Sequence, residues 1–323
     1  MTEIELGTLH SASASSKDAG WVERSEPSQR FRIHVVEVRS RLSRMAPRLS
    51  VVVPLFVLVA CLSAAPAEDD ADSSTARQAR LEYLKSRAAE CELLKQADRA
   101  SPLTLSKDPL LRYSNPVRGL KLSDGATFLW LDGARPLAAA AWSLRGPGNA
   151  WREFTSLAAE PLACTRDGRE VWSPKTGGLL NQVLPEAPAP LPNATRRLAQ
   201  MRELAGRFSA VVYLPPNESV VTELRLLSQP IYRYKDEKAG VLDGALFSFS
   251  EATDPEALLL LEARRSKPEE YEWRYTLARM TSVRLIVRVD DKERWSVPNF
   301  WTSPRSLDDP YIESADGTYP IEQ

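Results

Sequence analysis

One stretch of this chain is written twice, and that repetition limits its fold more than any other feature. Arg112-Tyr113, the run Ser123 to Phe128 (SDGATF), Pro136, Trp151-Arg152 and Asp167 to Pro174 (DGREVWSP) come in that order. Arg233-Tyr234, Leu242 to Phe247 (LDGALF), Pro255, Trp273-Arg274 and Asp290 to Pro298 (DDKERWSVP) follow in the same order. The spacing between matched positions drifts by only a few residues, which small loop insertions explain. The sequence therefore predicts two tandem repeats, 76–174 and 193–298.

Each repeat reads as one helix followed by a run of short strands. Leu81, Leu84, Ala88, Cys91 and Leu94 recur at spacings of three or four, the stripe of a core-facing helix over Ala76 to Ala97. Leu198, Met201, Leu204, Ala205 and Phe208 do the same over Ala194 to Phe208, with Asn193 placed as the N-cap. Cys91 then falls opposite Phe208, which favours a packing role for the cysteine. After each helix come apolar runs separated by turns such as Asp132-Gly133 and Asp167-Gly168, where glycine takes positive φ without steric cost. Val283, Leu285, Val287 and Val289 alternate with Arg284 and Arg288, a strand with one wet face. Strands that follow one another without intervening helices predict an α+β fold, each repeat being a helix and an antiparallel meander of about six strands. Residues 175–192 read as a linker ending in a stiff Ala187 to Pro192 (APAPLP), and 299–323 as an extended tail, loose or packed over the second sheet.

Upstream of the repeats, Arg48 precedes a short apolar run, Val51 to Leu62, then Ala65-Pro66-Ala67 and an acidic linker, 68–75. Charge, apolar core and A-x-A mark a secretory signal peptide over 45–67, cleaved after Ala67. The run is too short to span a bilayer, which takes about 20 residues. Leu58 to Cys61 offers a second reading, a lipobox with Cys61 carrying lipid. Residues 1–44 are a polar leader, or an artefact of a start codon that properly lies at Met45. The expected location is outside the cytoplasm, in the periplasm or cell envelope or secreted, with membrane contact only through such a lipid anchor.

Both histidines, His10 and His34, lie upstream of that segment, so the mature chain has no histidine base and no histidine-ligated zinc. Cys91 and Cys164 are left as either one disulfide or two buried thiols. A net charge of -1 and a pI near 6.3 give no reason to expect nucleic acid. The phosphate-binding, calcium-loop and nucleophile-elbow motifs are missing. No catalytic, cofactor or metal residue is picked out.

Where the two repeats differ, a function could have been added. Leu129 and Leu131 stand where the second repeat has Ser248 and Ser250, and Ala139, Ala140 and Ala141 where it has Leu258, Leu259 and Leu260. The alanines leave volume that the other repeat, the first helix or a ligand must fill. These five residues are the candidate ligand or partner surface. The matched tryptophans suit cross-strand packing better than sugar stacking, and Asp124 and Asp243 are placed to pair with Arg112 and Arg233.

The runs LLRYSNPVRG, FTSLAAEPL, DGREVWSP and RRLAQMRELAGRF resemble a group of secreted planctomycete-type bacterial proteins with no assigned activity. That resemblance covers about residues 75 to 298 and implies export. The expected role is non-catalytic, binding or structural, with an unidentified protein or small apolar ligand as partner. Two alternatives stand beside it: a carrier of an apolar ligand such as lipid in the first repeat, and a carboxylate-dependent hydrolase.

Overall fold

The computed structural model of the protein describes residues 74–113, 123–146 and 148–320. The leader, the signal segment and the sites at Cys61, Ala65 and Ala67 lie outside the described residues. Among those described, no helix is long and apolar enough to cross a membrane.

The chain begins with α1 (Ser74–Ala89), then β1 (Cys91–Lys95), β2 (Asp98–Pro102), β3 (Thr104–Leu105) and β4 (Leu111–Tyr113). Three longer strands follow, β5 (Ser123–Asp132), β6 (Arg135–Arg145) and β7 (Asn149–Ser156), then β8 (Leu162–Arg166) and β9 (Arg169–Trp172). After β10 (Leu179–Val183) comes α2 (Ala194–Ala205), then β11 (Phe208–Leu214), β12 (Val220–Glu223), β13 (Arg225–Leu226) and β14 (Tyr232–Asp236). The second long trio is β15 (Val241–Glu251), β16 (Asp254–Lys267) and β17 (Glu270–Arg279). β18 (Arg284–Val289), β19 (Lys292–Val297), a 3-10 turn (Phe300–Thr302) and β20 (Tyr311–Thr318) complete it. The architecture is α+β, dominated by antiparallel sheet.

There are four sheets among the described residues. Two have four strands, ordered β2-β1-β8-β9 and β12-β11-β18-β19. Two have six: β20-β7-β6-β5-β3 with β4 also on β5, and β10-β17-β16-β15-β13 with β14 also on β15. Side chains of a strand point alternately to its two faces, and this sorts the core into three layers. On one face of the first large sheet, Phe128, Trp130, Trp142 and Phe154 pack with Leu84 and Ala88 of α1, Cys91 and Leu93 of β1, Cys164 and Trp172. On the far face of the second large sheet, Phe247, Phe249, Leu259 and Leu261 pack with Met201 and Leu204 of α2, Phe208, Val212 and Val287. Between the two large sheets, Leu129, Ala139 and Ala141 meet Leu246, Leu258 and Leu260.

Several expectations are corrected. The first helix ends at Ala89, because Cys91 and Leu93 both turn into the core and their strand pairs with β8, Leu93 opposite Cys164. Likewise α2 ends at Ala205, and Phe208 opens β11. Each half is therefore not one meander of about six strands but a large and a small sheet, since β8–β9 and β18–β19 leave the meander to pair with the strand after the helix. Asn193 does cap α2, its Oδ1 accepting from the Thr195 and Arg196 amides.

The linker and the tail are more than connections. Part of the linker is β10, which pairs with β17 of the second half, Leu179 opposite Leu277 and Val183 opposite Arg274. Part of the tail is β20, which crosses back to β7 of the first half, Tyr311 opposite Thr155 and Glu313 opposite Glu153. Each half thus receives the outer strand of its large sheet from the segment that follows the other half.

Candidate functional site

The doubled motif has a mechanical meaning. In the first half Asp124 accepts from Arg80 Nε of α1 at 2.9 Å and from Arg112 Nε and Nη2 of β4 at 3.0 and 2.6 Å. In the second, Asp243 accepts from Arg197 Nε of α2 at 2.9 Å and from Arg233 Nε and Nη2 of β14 at 3.0 and 2.7 Å. One carboxylate in each half thus holds a helix arginine through a single bond and a bidentate arginine fork from the neighbouring strand, tying helix to sheet. The next residue in each motif explains the glycine. Tyr113 lies opposite Gly125 and Tyr234 opposite Gly244, and each ring covers its glycine. A Cβ on Gly125 would stand 2.5 Å from Tyr113 Cε2, and one on Gly244 would stand 2.6 Å from Tyr234 Cε1. Arginine, tyrosine and Asp-Gly recur together because they build one joint.

Polar groups are buried at both ends of the seam between the large sheets. At one end Glu262 of β16 accepts from Arg135 Nε of β6 at 2.9 Å and from the Tyr234 hydroxyl at 2.5 Å, with Arg264 Nη1 at 3.1 Å. Burial works to raise the Glu262 pKa, but the Arg135 charge and these hydrogen bonds outweigh it and hold the carboxyl below its ordinary value. The opposite end is richer in acid. Glu153 of β7 and Glu313 of β20 are direct cross-strand neighbours, 6% and 3% exposed. The Tyr311 hydroxyl donates to Glu153 Oε2 at 2.7 Å, and Arg145 Nη1 donates to Glu313 Oε1 at 2.5 Å. Burial, followed by the charges of Glu313 and Asp254, pushes Glu153 well above the usual carboxyl range, against the pull of Arg145.

A third cluster lies where the tail strand ends. Asp316 is 5% exposed and accepts from Arg87 Nε at 2.9 Å, Trp142 Nε1 at 3.0 Å and Arg166 Nη1 at 2.5 Å. Arg152 Nη1 stands 3.2 Å away, and Glu90 bridges Arg87 and Arg166 from the outer side at 2.9 and 2.6 Å. Three guanidinium groups and an indole from the first half therefore close on one carboxylate of the tail.

The candidate surface is not open. Leu129, Ala139 and Ala141 are at most 2% exposed, filled against by the leucines of the second large sheet, and half-buried Leu131 sits at the margin of that cluster. Ala140 points the other way, into the aromatic core with Trp142 and Phe154, because neighbours in a strand face opposite sides. Cys91 and Cys164 are both free and buried, on adjoining strands. Hydrogen bonding with Cys91, and then burial, pushes the Cys164 thiol far up, so it behaves as an inert core thiol.

The tryptophans of the motif part company. Trp273 is 1% exposed, whereas Trp151 is half-buried and meets the exposed Trp301 edge-on at 6.2 Å. Arg145 lies over the Trp151 ring at 5.2 Å and Arg305 over Trp301 at 5.0 Å. The sequence offers Phe300, Trp301 and Tyr311 as anchors of the tail and the Trp151-Arg152 pair, but it does not single out Arg305, Glu313, Asp316 or the Asp316 partners Arg87, Trp142 and Arg166. The facing Glu153 and Glu313 are both buried between strands, closed off from any cleft that could take a substrate. The chain matches no protein-family model, no curated protein and no solved structure.

Proposed function

We propose that this chain is an exported, non-catalytic protein of the cell envelope or extracellular space, built by tandem duplication and acting as a structural or binding unit. The observation that carries this reading is the reciprocal crossing of β10 and β20, which makes each large sheet depend on the other half. The same helix-to-sheet joint in both halves, with Asp124 and Asp243 at its centre, supports the duplication. An apolar carrier loses its motivation, because the seam that would take the ligand is packed with the chain's own leucines. The patch of Trp151, Trp301 and Arg305 is the surface best shaped for a partner, combining exposed aromatic area with cationic groups.

Expression from Met45 in a bacterial host, with fractionation and intact-mass measurement, tests the reading. The expected product lies outside the cytoplasm and begins at Glu68. A lipid-modified product beginning at Cys61 would place it on the membrane surface instead. An uncleaved chain in the cytoplasm would overturn export.

A further inference from the structure

The tail strand β20 closes the first large sheet by placing one buried carboxyl directly against another. Like charges opposed across a strand pair destabilise it, and burial sharpens the conflict because the charges lose water. Among the described residues, the groups that face Glu153 come from every element around it. They are Tyr311 and Glu313 on β20, Arg145 on β6, Tyr113 on β4, Asp254 on β16 and Arg279 on β17, with Glu256 acting on Tyr113 and Arg279. Arg145 is engaged by Glu313. Arg279 is engaged by the carbonyls of Thr281, Pro298 and Val283, with its guanidinium 4.7 Å over the Tyr311 ring. Neither cation gives a hydrogen bond to Glu153, whose partner is the Tyr311 hydroxyl. Three residues beyond Glu313, Asp316 is gripped by its arginines.

We propose that β20 is a strap hinged at Asp316, whose leading end, Tyr311 to Ser314, closes the sheet in acid and loosens as Glu153 becomes ionised beside Glu313. When Glu153 gives its proton to solvent, no partner gains a bond, and the new charge faces Glu313. The upward displacement of Glu153 agrees with this. A carboxyl raised above its unfolded value, about 4.3, stabilises the closed state below that value and loses the contribution as pH rises through the raised one. Loosening would bare the outer edge of β7, an unpaired row of amides and carbonyls able to accept another strand.

Hydrogen exchange on the full chain reads the strap directly. Opening constants of the Tyr311 to Ser314 amides, corrected for intrinsic exchange, should rise with pH by up to about tenfold per unit, while those of β10 stay level. Glu153→Gln keeps the acceptor for Tyr311 and removes the titration, so its slope should vanish. Glu313→Gln removes the opposing charge and should flatten the slope as well. A slope unchanged in both variants, or β20 amides that exchange only with global unfolding at every pH, would overturn the proposal.

Discussion

The two places where a crossing strand seals a half are solved with opposite chemistry. In the first half, Arg87, Trp142 and Arg166 converge on Asp316 of β20. Matching the registers puts Leu261 where Trp142 stands, since each lies opposite the first alanine of its Asp-Gly-Ala run. Val289 stands where Arg166 does, each opposite the first residue of the strand after the helix. Leu204 occupies the place of Arg87 on the helix, counting from the paired Arg197 and Arg80. There the crossing strand β10 leads into Leu184, and all four residues are buried in one apolar core. An apolar seal is bound by transfer and packing and has no charge for salt to screen. An ionic seal must first desolvate its charges, so much of its attraction is cancelled. What remains is geometrical selectivity: a carboxylate at one position fits, and little else does.

Breaking the ionic seal should have the largest effect. Asp316→Ala leaves buried guanidinium groups and an indole without their acceptor, and should cost about 3–5 kcal/mol in denaturant unfolding. Leu184→Ala, the corresponding lesion in the apolar seal, should cost about 3 kcal/mol as a cavity. A smaller loss for Asp316→Ala than for Leu184→Ala would reverse the ranking of the two seals. Gly125→Ala and Gly244→Ala drive a methyl into the tyrosine ring of each joint and should cost about 1–3 kcal/mol each by overpacking. Because the joints are built alike, their losses should agree; a clear inequality would show that one half bears more strain than the other.

A transplant tests the comparison more finely. The triple variant Arg87→Leu, Arg166→Val and Asp316→Leu replaces three charged residues of the first half's seal with apolar ones like those of the second, keeping Trp142 and Arg152. Its unfolding free energy should lose about 1 kcal/mol of salt dependence between low and high ionic strength. The smallest effect concerns the seam. Glu262 is held below its ordinary value, so its contribution is complete above about 4.3, the unfolded value, and fades as pH falls toward the lowered one. Glu262→Gln should flatten that acid limb in a pH series of unfolding midpoints.

Much of this fold was legible because its devices are local. The Arg-Tyr and Asp-Gly pairs sit on adjoining strands, so their joint is written within a dozen or so residues of chain. The meander β5–β7 follows from apolar runs and glycine turns, and β15–β17 from apolar runs alone, its turns placing Ala252 and Glu269 at positive φ. Cys91 to Leu94 misled the eye because a spacing of three continued the helical stripe, although Cys91 and Leu93 also alternate as a strand requires. β20 was hidden for a different reason. Its buried residues are Tyr311 and Glu313 on one face and Asp316 on the other, so the acids that secure it read as solvent-loving tail. The partners of Asp316 lie some 150 to 230 positions away, and no period in the sequence connects them. The same distance hid the filling of the alanine volume at Ala139 and Ala141, which is supplied by leucines more than a hundred residues downstream.

The crossing strands also set an order of events. A chain is made from its N-terminus, so the first half emerges with β7 at an unfinished edge. That edge waits until Tyr311 to Thr318, after the whole second half, have been made. Contacts of such sequence separation close slowly, since the whole intervening loop must first be brought round. The half made earlier is completed only after the later one, and until then its open edge must be kept from strands that do not belong to it.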